Sequence, residues 1–433
     1  MEGVPTVLLI LPSATYRAPE FLQAAAELGV TVVAGSNAPS ALAPIMGERY
    51  IELDLDDPLA AAEAIVDLDR SMPLDAVVGV DDQGLLTAAL ASERLGLAAN
   101  PPAAIAATRN KSDLRSLLDN SEVQQPRFEV LDRNAPSIAA DVAAAAQRIG
   151  YPVVIKPSNQ AASRGVIRAN NDEEARAAGT RIDAMLQADG DSGAVLLIES
   201  FIPGDEIAIE AILTKGRLRV LANFDKPDPL DGPFFEETIY VTPSRVDPRV
   251  LKDSARLIEQ ACLAIGLVDG PVHGEVRLSL DPSTPTGVSP VLIEVAARTI
   301  GGRCAQTLSF SRGRSLEAIV LEHALGRSSE SPHQAIGASG VMMLPIPGSG
   351  RLVEIRGRDR ALATPGVTAL EISIAPGKEI RALPEGNRYL GFLFARGRTP
   401  ADVEHSLRAA HAELEIVIEA SAAELDHLRA EVA

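Results

Sequence analysis

Two glutamates and an arginine stand close together within residues 272–303. The stretch reads VHGEVRLSLDP, then a turn rich in Pro, Ser, Thr and Gly, then VLIEVAARTIGGR. Glu275 and Glu294 each lie inside an alternating or apolar run, the pattern of a strand. Two such strands joined by a turn put both carboxylates on one face of a hairpin. Arg298 follows Glu294 by four residues, where the second run gives way to Gly301-Gly302. Carboxylate oxygens are hard ligands for a divalent cation, and a guanidinium fork holds phosphate oxygens. A strand-borne ion-pair network would use the same residues, so the neighbouring motifs must decide.

Lys156 closes the apolar run VVIKP, and SNQAASRGV follows it. A lysine at a strand end often only reaches for water. Here the small, polar loop with Ser163, Arg164 and Gly165 can also fold backbone N–H groups over phosphates, the lysine adding a point charge. Lys111 sits near a helix start in TRNKSDLRSLL. Residues 195–213, VLLIESFIPGDEIAIEAIL, carry Glu199, Glu206 and Glu210 around an acidic turn. Phe201 and Ile202 beside Glu199 suit an adenine slot of apolar faces and a polar edge, and Glu206 suits ribose hydroxyls. A hairpin with charged edges is the plain alternative. The stretch NFDKPDPLDGPFFEETIYVTPS is long for a turn and holds three of the nine phenylalanines, which argues for function over disorder. Its Glu236 and Glu237 can bind a substrate ammonium, add a metal ligand, or form a solvated pair.

These residues need a scaffold. The 433-residue chain is 46% hydrophobic with 33 Gly and 30 Pro, too long for one ordinary core. A net charge of −19 argues against a nucleic-acid or anionic-membrane partner, so any anionic ligand must be met by local Lys and Arg. Two cysteines, Cys262 and Cys304, exclude a disulfide scaffold and a thiolate zinc site and fit a reducing, cytoplasmic setting. The apolar stretch at residues 7–11 is short for a signal-peptide core, and no run approaches the roughly 20 apolar residues of a membrane span.

The first hundred residues alternate strand and helix: TVLLIL, a helix closed by Gly29, VTVVAG, a helix at 58–69, AVVGV, and an Ala-rich helix at 84–95. This is a parallel α/β, Rossmann-like pattern, without the G-x-G-x-x-G dinucleotide fingerprint. Asp81 and Asp82 either cap the last of these helices or face a crevice at the strand's carboxyl end; capping is the simpler reading. Asn100-Pro101-Pro102 marks a boundary. A smaller α/β unit spans 126–198, a helix is expected near 248–265 and another near 315–325, and 327–334 reads as a linker. Residues 338–398 are strand-rich, followed by a helix from 400 to about 417 and a helical tail. The expected units are 1–100, 101–205, 206–330 and 331–433.

The order of these pieces resembles the ATP-grasp superfamily: lysine at a helix start, lysine ending a strand, small-residue loop, Glu-x-x-Ile before an acidic turn, then Glu…Glu-x-x-x-Arg. FDKPDPLDGPFFEETIYVTPS and IEVAARTIGG look closest to its L-amino acid ligase branch, with carnosine synthases nearby. The resemblance implies an ATP-grasp fold, an α/β and α+β multidomain chain with an N-terminal Rossmann-like domain, a lid, a catalytic subdomain and a C-terminal strand-rich appendage. It implies that Lys111, Lys156 and the loop Ser163, Arg164, Gly165 bind ATP phosphates. Glu199 and Ile202 would read adenine, Glu206 the ribose, and Glu275 and Glu294 would hold Mg²⁺, with Mn²⁺ as a substitute. Arg298 would bind the reacting carboxylate and the phosphate passed to it. Where the wider superfamily has a metal-binding asparagine, this chain has Ala296, as the ligase branch does; Glu237 is the candidate to replace that ligand. Gly301 and Gly302 leave room for a larger second substrate, or form a plain turn.

The activity so implied is an ADP-forming ligase joining two amino acids, or an amino acid and another amine, through an acyl phosphate. The resemblance also implies a homodimer. No His or Cys constellation offers a general base. A biotin-carboxylase-like subunit and a non-catalytic ATP-binding regulatory module are the competing expectations.

Overall fold

The computed structural model describes residues 3–13, 15–38, 43–133, 137–327 and 337–419. The N-terminal unit carries β1 (Thr6–Ile10), α1 (Ala18–Glu27), β2 (Thr31–Ser36), the short α2 (Ala43–Met46), β3 (Tyr50–Glu52), α3 (Pro58–Asp69), β4 (Ala76–Gly79) and α4 (Asp82–Leu95). Its four strands pair in parallel in the order β3-β2-β1-β4. Strands β1 and β2 are nearly continuous apolar runs because helices cover both faces of the sheet.

Helices α5 (Pro102–Arg109) and α6 (Lys111–Leu118) lead into a lid made of β5 (Phe128–Leu131), α7 (Ile138–Ile149), β6 (Val153–Pro157), β7 (Ile167–Ala169), α8 (Asp172–Ala188) and β8 (Leu196–Ser200). The lid sheet runs β5-β8-β6-β7, entirely antiparallel. It has its own core, in which Val142, Ala146, Ile155, Ile182, Leu186 and Ile198 are buried.

The body of the molecule follows with β9 (Asp205–Thr214), β10 (Arg217–Lys226), β11 (Ile239–Thr242), α9 (Pro248–Ile265), β12 (Gly270–Leu280), β13 (Val288–Ala296) and α10 (Leu316–Ala324). Next come β14 (Ala338–Leu344), β15 (Gly350–Arg356), α11 (Arg358–Ala363), β16 (Val367–Ile372), β17 (Glu379–Ile380), β18 (Gly391–Gly397), α12 (Pro400–Ala412) and β19 (Glu415–Glu419). Eight strands form one sheet in the order β13-β12-β9-β10-β11-β14-β18-β16. The boundary expected at 331 therefore falls between strands of one continuous sheet, because β14 pairs with β11 as well as β18. Strands β17-β15-β19 make a separate small sheet.

Helix α9 shows why the body holds its shape. Asp247 caps its N-terminus and Gly266 ends it in the left-handed region. Val250, Leu257, Ile258, Ala261, Cys262 and Ile265 recur at helical spacing and are buried against the sheet. At Gly274 a Cβ would run into the Ile258 side chain, so the residue between His273 and Glu275 must be glycine for the helix to close on the strand.

One expectation about the elements needs correction. The final helix ends at Ala412, not near 417, because Glu415–Glu419 is a strand paired with Gly350–Arg356. The alternating EIVIE pattern there carries the strand signal. The helical tail falls outside the described residues, as does most of the linker at 327–334. Among the described residues no helix is long and apolar enough to cross a membrane.

Candidate active site

The hairpin forms as expected. Strands β12 and β13 are antiparallel, and Glu275 is paired directly with Glu294, next to a register shift. Both line a cavity of ≈ 1030 Å³ enclosed by the lid, the body, the N-terminal unit and the C-terminal unit. Lys111, Lys156, Ser163, Glu199, Ile202, Glu206, Glu237, Arg298, Gly301 and Gly302 line the same cavity.

Lys111 is the first residue of α6, whose N-terminus is capped by the Asn110 side chain. Its Nζ donates to the Gln160 carbonyl at 2.8 Å and stands 3.5 Å from Glu294, so it ties the loop after β6 to the hairpin. Lys111 first, and Arg298 further off, hold the Glu294 carboxyl below its usual range. Lys156 reaches Glu199 at 2.6 Å, and Arg115 reaches the other Glu199 oxygen at 2.6 Å. Burial pushes the Glu199 carboxyl up, but Arg115 and Lys156 outweigh it and hold it at about 2. The snorkelling alternative for Lys156 fails, since the side chain is 5% exposed. Beside this pair Val154, Val166, Phe201, Leu230 and Ile293 make an apolar slot, with Phe235 6.4 Å from Phe201 between ring centroids. The Ile202 carbonyl accepts from Arg277 at 3.3 Å.

The loop after Lys156 is split. Ser163 and its neighbours Ala161 and Ala162 line the cavity, with Ala162 and Ser163 in the left-handed region at φ 53 and 55. Arg164 and Gly165 do not line it. The Arg164 guanidinium turns away to Asp189 at 2.5 Å and to the Glu385 carbonyl at 2.9 Å. The Gly165 N–H is donated to the Pro384 carbonyl.

Sequence reading missed the centre of the site. Lys226 lies buried among three carboxylates, 2.5 Å from Glu206, 3.0 Å from Glu237 and 3.3 Å from Glu275. Burial would lower its pKa, but the three glutamates drive it well above the usual lysine range. Carboxylate oxygens of these three glutamates lie within 4.8 Å of one another, a hard-oxygen donor set of the kind Mg²⁺ takes. The carboxylates gathered around one point are thus Glu206, Glu237 and Glu275, while Glu294 faces Lys111. Both oxygens of Glu206 are engaged, one by Lys226 and one by Arg277 at 2.9 Å. Glu236 does not line the cavity; it is half-buried, and burial raises its carboxyl pKa. Lys226 could have been noticed as the single cation in an acidic, Phe-rich stretch, but nothing in the sequence says that Glu206 of β9, Glu275 of β12 and Glu237 of the loop before β11 surround it.

His273 was also passed over, although it stands two residues before Glu275 on the same strand face. It contacts Glu210 at 2.6 Å and Glu275 at 3.4 Å. Burial alone would lower its pKa; Glu210 and Glu275 outweigh it and raise it to about 9. Glu210 in turn accepts the Ile300 N–H at 2.9 Å and so fixes the turn after Arg298.

The aspartates at the carboxyl end of β4 face the crevice, a correction to the capping reading. Asp81 occupies the N-cap position without a capping bond and instead pairs with Arg17 at 3.1 Å. Asp82 pairs with Arg298 at 2.8 Å. Burial lowers the Arg298 pKa on its own, but Asp82 and Glu294 push it above the usual range. Arg17 donates to the carbonyls of Thr299 and Ile300, so the N-terminal unit grips the arginine's turn. The two glycines differ: Gly301 has open space where a Cβ would stand, with only the Tyr16 hydroxyl 3.8 Å away, whereas Gly302 has φ +59 and a Cβ there would meet the Met343 sulfur.

Known proteins match this chain in sequence and in fold. An ATP-grasp domain model matches residues 149–307, an L-amino acid ligase C-terminal domain 2 model matches 342–419, and an ATP-grasp N-terminal domain model matches 22–98. Carnosine synthase 1 of Mus musculus is 27% identical over 65% of this chain and 35% of its own length. Alanine–anticapsin ligase of Bacillus subtilis (strain 168) is 25% identical over 62% of this chain and 58% of its own length. The chain therefore spans less than two thirds of the curated relatives it matches. An L-amino acid ligase structure from Bacillus licheniformis superposes with a TM-score of 0.78 at 25% identity, covering 97% of this chain and 100% of that one. A biotin carboxylase from Campylobacter jejuni shares the fold at a TM-score of 0.63 and 15% identity. Residues 22–98 and 149–307 are thus ATP-grasp domains, and residues 342–419 are an L-amino acid ligase C-terminal domain.

Proposed function

We propose that the protein is an ATP-dependent carboxylate–amine ligase that joins two amino acids, or an amino acid and another amine, with release of ADP and phosphate. The observation that carries this reading is the single cavity where Glu275 and Glu294 face each other beside Arg298, Lys111, Lys156 and the apolar slot. Its relatives are named for amino-acid ligation: alanine–anticapsin ligase, carnosine synthase and dapdiamide A synthase.

A carboxylate is a poor electrophile for an amine, so it must first be activated. In this reading the substrate carboxylate oxygen bonds the γ-phosphorus of ATP as the bond to ADP breaks, giving an acyl phosphate. The amine nitrogen then bonds the acyl carbon, phosphate leaves, and a proton leaves the nitrogen. Phosphoryl transfer asks for positioning and charge neutralisation more than covalent help from the protein. Lys111 and Lys156 supply positive charge to the phosphates, and Ser163 with its loop covers them. Arg298, oriented by Asp82, holds the reacting carboxylate and the moving phosphoryl group. The slot beside Glu199 and Ile202 takes the adenine, and Glu206 is within the same wall for the ribose.

Glu275, Glu294 and Glu237 would hold Mg²⁺, which neutralises phosphate charge when bound; Mn²⁺ suits the same donors. Glu237 stands in for the ligand that Ala296 cannot offer. If Glu237 does not hold the metal, it is the partner for a substrate ammonium, since it lines the cavity and Glu236 does not. Two buried, free cysteines suit a reducing, cytoplasmic setting. A homodimer completes the proposal, checked by light scattering.

The test is phosphate release with ATP, Mg²⁺ and pooled pairs of amino acids, with mass detection of new amides. No release above the ATP-only background across broad pools would sink the ligase reading. Dependence on bicarbonate and biotin would support the carboxylase alternative, and tight ATP binding without any turnover the regulatory one. Glu294→Gln should abolish turnover; activity surviving within a few fold would refute the metal assignment.

A further inference from the structure

We infer that residues 384–389 of the C-terminal unit form a latch that holds the loop after Lys156 over the cavity, with Glu385 as its positioning residue. The inference rests on the reading that this loop covers the ATP phosphates. Four bonds cross between parts of the chain about two hundred residues apart. The Pro384 carbonyl accepts the Gly165 N–H at 2.9 Å, and the Glu385 carbonyl accepts from Arg164 Nε at 2.9 Å. The Glu385 carboxylate takes Arg181 of the lid helix α8 through two bonds, at 2.6 Å and 3.0 Å. Arg181 also lies over the Phe234 ring, 5.3 Å from its centroid, so its fork is aimed by packing as well as by charge.

The segment is rigidly based. Leu390, fully buried, donates to the Leu344 carbonyl and starts the pairing of β18 with β14. Between the base and the latch, Asn387, Arg388 and Tyr389 line the cavity, and the Tyr389 hydroxyl donates to Glu237 at 3.2 Å. Six consecutive residues thus touch the phosphate loop at one end and the carboxylate cluster at the other. The loop is poor in glycine, with Ala162 and Ser163 in the left-handed region and two turn bonds of its own, Arg164 N–H to the Ala161 carbonyl and Val166 N–H to the Ser163 carbonyl, so it gains from a further hold outside it. The latch supplies one: it occupies the Gly165 amide and, together with Asp189 and Gln160, holds the Arg164 side chain, while Gln160 to Ser163 line the cavity. Closure of the lid and the geometry at Glu237 become linked through one rigid segment.

The experiment compares wild type, Glu385→Gln, Glu385→Arg and the swap Arg181→Glu/Glu385→Arg. Hydrogen exchange of the peptide covering residues 158–168 is followed with ATP analogue and Mg²⁺, alongside nucleotide affinity and the separate kcat and KM for ATP. The exposed carboxylate pair predicts a two- to fivefold weaker nucleotide KM for Glu385→Gln and about tenfold for Glu385→Arg, with kcat changed less. Faster exchange should be confined to the loop, melting temperature should be nearly unchanged, and the swap should restore both loop protection and KM. Unchanged loop exchange and nucleotide KM in Glu385→Arg would overturn the latch. Failure of wild type to bind nucleotide at all would instead overturn the site reading beneath it. A general loss of folding in Glu385→Arg would leave Glu385→Gln and the swap to decide by the same two readouts.

Discussion

Replacing Lys226 with methionine removes the one ammonium that sits 2.5 to 3.3 Å from three buried carboxylates. The methionine stem fills much of the same space, so the change is chiefly electrostatic. Removing one partner of a buried ion pair costs about 3–5 kcal/mol, because the remaining charge has lost both water and its counter-ion. Part of that loss is recovered when one carboxyl takes up a proton. Glu237 is the one to do so, since burial already raises its pKa and neighbouring Glu275 adds to the rise. We therefore expect about 3 kcal/mol of destabilisation at neutral pH without divalent cation. The variant also frees the cluster for a metal ion, and binding to the folded state alone stabilises by about 2.7 kcal/mol at a hundredfold excess over Kd. The assay is urea unfolding followed by far-UV circular dichroism, since the chain has no Trp, with and without Mg²⁺ and without nucleotide. The wild-type midpoint should move little with Mg²⁺, and the variant's should drop and then largely recover. A variant that unfolds at the wild-type midpoint would refute the buried-cluster energetics. One that is destabilised but indifferent to both Mg²⁺ and Mn²⁺ would refute Glu237 and Glu275, the two members shared with the proposed metal site, as metal ligands.

Three further outcomes follow from the site. Arg298→Lys keeps the charge but loses the fork that engages Asp82, so turnover should fall about a hundredfold or more with ATP affinity little altered, read by phosphate release and nucleotide titration. Glu199, held at about 2 by Arg115 and Lys156 against a usual 4.5, contributes stability that is full above pH 4.5 and is lost as pH falls toward 2. Urea midpoints between pH 5 and 2.5 should drop more steeply for wild type than for Glu199→Gln, the difference amounting to a few kcal/mol, about 1.4 per pH unit. Gly301→Leu should fold normally and exclude larger second substrates, whereas Gly302→Ala, strained by its positive φ and pressed on Met343, should lower the melting temperature by the equivalent of about 1–2 kcal/mol.

Much is legible in the sequence. The hairpin of Glu275 and Glu294, helix α9, the alternating N-terminal strands and the strand-rich C-terminal unit follow from periodicity and capping, which act over a few residues and leave their mark in the local sequence. The likeness to ATP-grasp ligases was carried by the order of motifs along the chain. Tertiary structure alone decided who meets whom. Lys226 reads as an ordinary lysine in an acidic loop until three glutamates close around it. Asp82 reads as a helix cap until Arg298, from another unit, takes it. Arg164 and Gly165 read as phosphate binders until residues 384 and 385 claim their donors. Charge pairing and burial act through space between segments far apart in the chain, so the sequence determined which side chains exist and which local elements carry them, while the packing of distant segments around one cavity determined which of them are free to act.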